Sequence, residues 1–331
     1  MLERILITGG AGFIGYHLAK HLSAAGYRIC LADNHLRGIY DRDLGELLSQ
    51  TDTSFVELDL LDRDAVLNLG SEFNVIYHLA AIIGVRHVLE KPYDVLTQNT
   101  RMLDNVIKLG GRQKHLSRLF FASTSEVYAG TLKHFSLPIP TPEKTPLATT
   151  DLAEPRTSYM LSKIMGEAMI QNSNLPFTIF RPHNIYGPRM GLAHVIPEQL
   201  ERVFKAGAGD RIKVVSPAHT RTFCYVDDAV EMLRRMLINS ACQGRTLNLG
   251  TEAPEVSIRQ LVRICIEVSG KKLDIVEYPP TPGSPARRSP DMRETKEMLR
   301  FQSWIILQQG IEKTWAWYRD NIFAPGGNSA R

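Results

Sequence analysis

Tyr159 and Lys163, four residues apart in TSYMLSK, could together move a proton. On a helix, residues at i and i+4 lie one above the other, so both side chains can reach one small volume. Tyrosine ordinarily ionises near pH ~10, and an adjacent ammonium favours the phenolate and lowers that value by roughly 1–3. The phenol then becomes a base usable near neutral pH. The spacing is common, and a packing Tyr beside a surface Lys satisfies it equally well.

A second constellation gives the pair a purpose. Residues 8–15, TGGAGFIG, follow the apolar run Ile5-Leu6-Ile7 and open an amphipathic stretch. Gly9, Gly12 and Gly15 give a G-x-x-G-x-x-G turn between strand and helix, which permits a tight turn, close approach of a pyrophosphate and close helix–strand packing. The free N–H groups at the helix start would face the phosphates. The next apolar run, 28–32, ends at Asp33, where the acidic partner of an adenine ribose is expected. Asp33 argues for NAD over NADP: a 2′-phosphate ~4 Å away would be repelled by roughly 4 kcal/mol at an effective dielectric near 20, about a thousandfold in affinity. Arg37 nearby argues the other way. A nicotinamide's positive charge would favour the Tyr159 phenolate as Lys163 does.

These residues must be held by alternating strands and helices. Hydrophobic patterning predicts strands at 3–8, 28–33, 54–58, 74–79 and 117–122, with helices at 13–25, 62–70 and 92–110, the rhythm of a parallel sheet wound on both faces. Residues 130–156, with five prolines, read as a surface loop near the site. Helix 157–172 and strand 177–181 resume the pattern. Beyond residue 187 helices are expected near 195–206, 226–239 and 257–268, strands near 212–215 and 245–249, a proline-rich loop at 279–290 bearing Arg287 and Arg288, and a final helix at 310–322. The fold class is therefore α/β, a Rossmann-type doubly wound parallel sheet with a smaller mixed α/β substrate-binding C-terminal lobe. Its divisions are 1–186 for the NAD-binding domain, 187–322 for the lobe interleaved with it, and 323–331 for a tail.

Composition restricts the function classes. A net charge of +4 without long basic runs does not indicate nucleic acid. No run of about 18 apolar residues occurs, so no membrane span is expected. Cys30, Cys224, Cys242 and Cys265 show no C-x-x-C spacing and read as reduced thiols. With no apolar signal core at the N-terminus, a cytoplasmic protein is expected. The ten histidines have no ligand spacing, and Asp227-Asp228 suits the positive end of a helix better than a metal. No metal is expected.

The chain resembles the extended short-chain dehydrogenase/reductases, the group of NAD-dependent nucleotide-sugar epimerases, dehydratases and decarboxylases. The resemblance runs over nearly the whole length. Besides TGGAGFIG, Asp33 and Tyr159-Lys163, it rests on Asp59-Leu60, on HLAA at 78–81, on Asn99, on STSEVY at 123–128 and on RPHNIYGP at 181–188. It implies that Phe13, Ile14, Asn34, Asp59, Leu60, Leu79, Ala80, Ala81 and Asn99 line NAD, and that Pro182 and Asn184 close over nicotinamide and sugar. It also implies that Thr124 shares the proton with Tyr159, that Arg221 and Arg288 hold the sugar-nucleotide pyrophosphate, and that two chains form a homodimer through helices 92–110 and 157–172. Guanidinium suits a pyrophosphate because it is planar, permanently charged and bidentate.

In such enzymes the sugar C4 is oxidised first and re-reduced last, so NAD is retained. What happens between depends on the residues after Thr124. Dehydratases of the group carry Asp-Glu there; Ser125 replaces the Asp and cannot easily supply the proton for loss of water. Thr124-Ser125-Glu126 resembles uronate decarboxylases, whose Ser and Glu address the substrate carboxylate. Gly84-Val85-Arg86 resembles 4-epimerases instead, and Arg86 could face a carboxylate or lie on a helix surface. The favoured substrate is a UDP-hexuronate, epimerised at C4 or decarboxylated. A 4,6-dehydratase, a 4-keto sugar reductase and a non-catalytic NAD-binding protein are the alternatives.

Overall fold

The computed structural model describes residues 3–280 and 284–324; Pro282 of the proline-rich loop and residues 325–331 of the expected tail lie outside the described residues. The first part of the chain alternates as β1 (Arg4–Thr8), α1 (Phe13–Ala24), β2 (Arg28–Asp33), α2 (Arg42–Gln50), β3 (Thr53–Glu57), α3 (Arg63–Leu67), β4 (Val75–His78), α4 (Val85–Glu90), α5 (Pro92–Gly111) and β5 (Arg118–Ala122). It continues with α6 (Ala129–His134), α7 (Thr157–Gln171), β6 (Phe177–Pro182), β7 (Ile185–Tyr186), α8 (Val195–Lys205), β8 (Arg211–Val215), β9 (Thr220–Arg221), β10 (Cys224–Tyr225) and α9 (Val226–Ile238). The last part holds β11 (Arg245–Leu249), β12 (Val256–Ser257), α10 (Ile258–Val268), β13 (Asp274–Tyr278), β14 (Arg287–Arg288), α11 (Arg293–Leu299) and α12 (Leu307–Tyr318).

Seven parallel strands form the main sheet in the order β3-β2-β1-β4-β5-β6-β11. A parallel sheet covered on both faces needs apolar residues at successive positions, as β1 shows. Ile5 and Ile7 join Tyr77, Phe120 and Phe180 in one core, whereas Leu6 joins Ile76, Leu119, Phe121 and Ile179 in the other. The first core continues into α8, α9 and α10, and the second is closed by Val95, Leu103 and Val106 of α5. Thus β11 and α9, beyond residue 187 in sequence, complete the sheet and its cover.

The expected strands are present with small shifts at their ends. Three differences lie outside these strands. The helix α2 went unpredicted, although Asp41 caps it by accepting from Leu44 N at 2.9 Å and Leu44 and Leu47 are buried. The stretch expected as loop from 130 begins with α6, because its prolines start only at Pro138. Within the loop at 279–290, Arg287 and Arg288 form β14, parallel to β9, with Arg288 paired in register to Arg221.

A buried ion pair joins α7 to β6. Arg181 Nη2 donates to Glu167 at 2.6 Å, with both side chains no more than 5% exposed. Arg181 Nε donates to the same carboxylate at 2.8 Å, and Ser123 Oγ at 2.5 Å. Glu167→Gln leaves the guanidinium without its counter-charge, and we expect a loss of about 3–5 kcal/mol, read as a lower urea midpoint with unchanged slope. A loss under about 1 kcal/mol would show that neutral acceptors suffice there.

Candidate active site

The sequence-predicted residues gather at the C-terminal ends of the parallel strands, where open α/β sheets bind ligands. Gly9 leaves β1 with φ +71°, a left-handed conformation that favours glycine, and a Cβ there would come within 2.8 Å of Ala80 N. A Cβ at Gly15 would collide with the Gly9 carbonyl oxygen. Gly12 precedes α1 and offers no capping side chain, so the first N–H groups of Phe13 and Ile14 are left for an acceptor. This cradle, which a side chain would fill, fits a dinucleotide pyrophosphate.

Asp33 closes β2 beside it. Its carboxylate accepts from Ala11 N at 3.1 Å and His35 N at 2.9 Å, which fixes it against the glycine turn. Asn34 turns its side chain to Leu36 N. Leu58 N donates to Asp33 O at 2.9 Å, which sets the exposed Asp59 and the buried Leu60 next to Asp33. Leu79 N donates to Thr8 O, which holds the Leu79-Ala80-Ala81 segment at the end of β4. Asn99 is buried, and its amide clamps Ile82 through N–H and carbonyl at 2.7 and 3.1 Å, so it holds that segment in place.

Tyr159 and Lys163 lie on one face of α7. Lys163 Nζ donates to Ala122 O at 2.8 Å and stands 5.9 Å from the Tyr159 ring centre. Burial pulls its pKa down to about 8, against the opposing charge of Glu167. The Tyr159 phenol is raised well above its ordinary value, first by burial and then by the charge of Glu126; a hydrogen bond with Thr124 and the charge of Arg37 oppose this. The expected lowering of the phenol by Lys163 is therefore not met by the protein's own groups. The ammonium stands 5.9 Å from the ring centre with one N–H on the Ala122 carbonyl, and desolvation of the phenolate is the largest influence on the phenol.

Thr124, Ser125 and Glu126 follow β5, with Thr124 Oγ1 accepting from Glu126 N at 3.2 Å. Arg288 Nη1 donates to Glu126 at 2.6 Å. Arg288, then burial, Arg156 and Arg221 act on this carboxyl, and the net result holds it below its usual range. Beside Arg288 in the sheet, Arg221 donates to Thr220 O and Pro285 O at 2.7 Å each, and burial together with Arg288 lowers its pKa to about 10. A narrow cleft of about 20 Å³ lies here, with Ser125, Tyr128, Leu132, Ile139, His183 and Arg288 among its walls. At the end of β6, Pro182 pairs with Leu249, and Asn184 takes φ +44° while its amide donates to Thr222 O at 2.9 Å. Arg86 is not brought in. It lies on the exposed face of α4, paired with Glu90 at 2.9 Å. Among the described residues no group of three or more His, Cys, Asp or Glu is placed to hold a metal.

Sequence reading assigned no role to His183 or Tyr128, although both sit inside the quoted motifs. Their shared partner, Asn248, is remote in sequence from both, so no spacing could reveal it.

A dinucleotide cradle, a Tyr-Lys pair on the covering helix and a strand-end threonine, gathered at one edge of the sheet, define an NAD-dependent enzyme. The chain belongs to the NAD dependent epimerase/dehydratase family, which matches residues 5–250. It is 31% identical to a UDP-N-acetyl-alpha-D-glucosaminuronate decarboxylase of Bacillus cytotoxicus over 97% of this chain and 99% of that protein. It is 29% identical to UDP-glucuronic acid decarboxylase 1 of Xenopus tropicalis over 97% and 73% of the two chains. Among solved structures, a UDP-glucose 4-epimerase of Thermotoga maritima superposes with TM-score 0.80 at 25% identity, over 96% of this chain and 99% of that one. A dTDP-glucose 4,6-dehydratase of Streptomyces venezuelae with NAD bound shares the fold, with TM-score 0.82 at 22% identity over 99% and 100%. The protein is an NAD-dependent nucleotide-sugar modifying enzyme.

Two outcomes follow from this geometry. Gly12→Val should abolish NAD binding measured by calorimetry while leaving the far-UV dichroism unchanged, because its side chain would stand at the helix N-terminus. For Lys163 the folded pKa, about 8, lies below the ordinary 10.5. Between those values the unfolded chain binds more protons, so stability rises with pH across that window. Lys163→Met should remove that rise, which denaturant titrations at pH 7.5, 9 and 10 would detect.

Proposed function

We propose that the enzyme decarboxylates a UDP-linked hexuronate after oxidation at C4. The observation that carries this reading is the Glu126–Arg288 ion pair beside Thr124 and Ser125. The resemblance put Arg288 on the pyrophosphate; its pairing with Glu126 supports a role at the sugar carboxylate, with Arg221 left for the phosphates. Curated relatives covering almost the whole chain are named as uronate decarboxylases, which supports the same reading.

NAD⁺ at the glycine cradle would supply an acceptor for the two electrons of a carbinol carbon and a store from which they return. Thr124 and Tyr159 would take the C4 hydroxyl proton, and Lys163, fixed by Ala122, would keep Tyr159 in register. With a ketone at C4, a carboxylate on C5 is a β-keto acid. The C5–carboxylate bond breaks, its electron pair enters the C4–C5 enolate, CO₂ departs, and a proton is delivered to C5. Arg288 can orient the departing carboxylate through its N–H groups. Because Glu126 cancels much of its charge, Arg288 does not stabilise the carboxylate strongly in place. An unpaired guanidinium ~4 Å away would favour the anion by roughly 4 kcal/mol at an effective dielectric near 20 and oppose loss of CO₂.

Proton NMR of the protein with UDP-glucuronate tests the reading. Decarboxylation replaces the lone H5 methine by a C5 methylene pair. An intact carboxylate with inverted C4 would show an epimerase, and no change would reject uronates. Tyr159→Phe should leave NAD bound and lower turnover by at least about 10²-fold.

We also infer a homodimer through α5 and α7, supported by the exposed apolar Tyr93 and Met165 on these helices, and a cytoplasmic location, which agrees with four buried unpaired thiols. Light scattering should give twice the 37.2 kDa chain mass. A mass of one chain would remove the dimer.

A further inference from the structure

We propose that His183 is a substrate-positioning residue whose Nδ1 accepts a hydrogen bond from a donor on the sugar, a ring hydroxyl or an acylamino N–H. The same atom excludes the sugar carboxylate from that place. This deepens the nucleotide-sugar reading above and rests on it.

The orientation of every proton around His183 follows from fixed neighbours. Asn248 Nδ2 donates to two carbonyl oxygens, Thr141 O and Asp291 O, at 3.0 Å each. Both are acceptors only, so the amide can stand only one way round and its Oδ1 faces the other side. There it meets Tyr128 OH at 3.1 Å and His183 Nε2 at 3.0 Å. Tyr128 Oη already accepts from Arg181 Nη1 at 2.7 Å, and the guanidinium is held charged by Glu167, so the tyrosine's own proton goes to Asn248. An amide oxygen has nothing to donate, hence Nε2 of His183 carries the hydrogen.

A neutral imidazole carries one N–H, and the hydrogen bond at one nitrogen decides the state of the other. Nδ1 is therefore a bare acceptor. Burial and, more weakly, the charges of Arg288 and Arg181 lower the His183 pKa to about 3, while its bond to Asn248 opposes them. The ring thus stays neutral. Its Nδ1 is buried and has no partner in the protein, although the residue as a whole is only 1% exposed and lines the cleft beside Ser125 and Arg288. A deprotonated nitrogen repels a carboxylate and can be satisfied only by a donor. The uronate carboxylate is thereby left to the Arg288 side, while a hydroxyl or amide N–H of the same ring can meet His183. Ala129, Leu132, Leu137 and Ile139 give the cleft an apolar wall on its other side.

Two substitutions separate this role from a structural one. His183→Gln can place an amide nitrogen where Nε2 lies and keep the bond to Asn248 while removing the Nδ1 acceptor. His183→Asn can place an amide oxygen near Nδ1 and lose the bond to Asn248. Calorimetric binding to the NAD-loaded protein, with kcat and KM alongside, would use UDP-glucuronate, its 2-deoxy and 3-deoxy analogues and UDP-2-acetamido-2-deoxyglucuronate. We expect H183Q to weaken the preferred sugar by about tenfold, with kcat within about threefold, and H183N to recover most of that loss. The analogue lacking the donor should bind wild type and H183Q equally, which identifies the donor as hydroxyl or acetamido. Unchanged binding by H183Q, or equal weakening of every sugar, would overturn the inference while leaving the decarboxylase reading intact. Should H183Q fail to fold, H183N decides alone: binding at the wild-type level supports acceptance at Nδ1, and loss of every sugar alike overturns it. Failure of wild type to bind any UDP-sugar would overturn both.

Discussion

The Arg181–Glu167 ion pair is the constraint on which the rest of the site depends. Two charges can be buried in the same place only if their hydrogen-bonding groups are nearly all met. Glu167 accepts hydrogen bonds from Arg181 and Ser123, and Arg181 spends its remaining Nη1 on Tyr128 and on the Glu143 carbonyl at 2.9 Å. This ties α7, which carries Tyr159 and Lys163, to the ends of β5 and β6. It also gives direction to the chain of bonds that runs through Tyr128 and Asn248 to His183. This ionic contact therefore helps fix α7 over the sheet and gives direction to the hydrogen bonds that end at His183.

The two halves of the site rely on different physics. On the dinucleotide side the selective groups are backbone: a left-handed Gly9, close packing at Gly15, and helix N–H groups aimed outward. Charge enters there through Asp33, itself anchored by two backbone donors. On the sugar side the groups are charged side chains in close balance. Glu126 raises the Tyr159 phenol and is itself held ionised by Arg288, while Arg288 depresses Arg221 beside it.

The sequence by itself determined the glycine turn, Asp33, the Tyr159–Lys163 spacing and the parallel sheet that carries them. Each depends on neighbours within about twenty residues and on periodicities of 2 or 3.6, which a chain displays locally. The family resemblance was also legible, because its motifs sit at strand ends in fixed order. Short elements were less so: β7, β9 and β14 have too few residues for a period to emerge.

Only the tertiary structure decided where the charges ended up. Arg288 lies 162 residues from Glu126, and Asn248 lies 65 from His183. Chain folding alone makes them partners. Tertiary structure also placed Arg86 in solvent beside Glu90, turned Lys163 toward Ala122, and partly buried Tyr159, whose phenol is raised rather than lowered by its desolvation. The physical reason is common to all three. Solvent exclusion and hydrogen-bond partnership are properties of three-dimensional packing, and they set the energy of a charge more strongly than its sequence neighbours do.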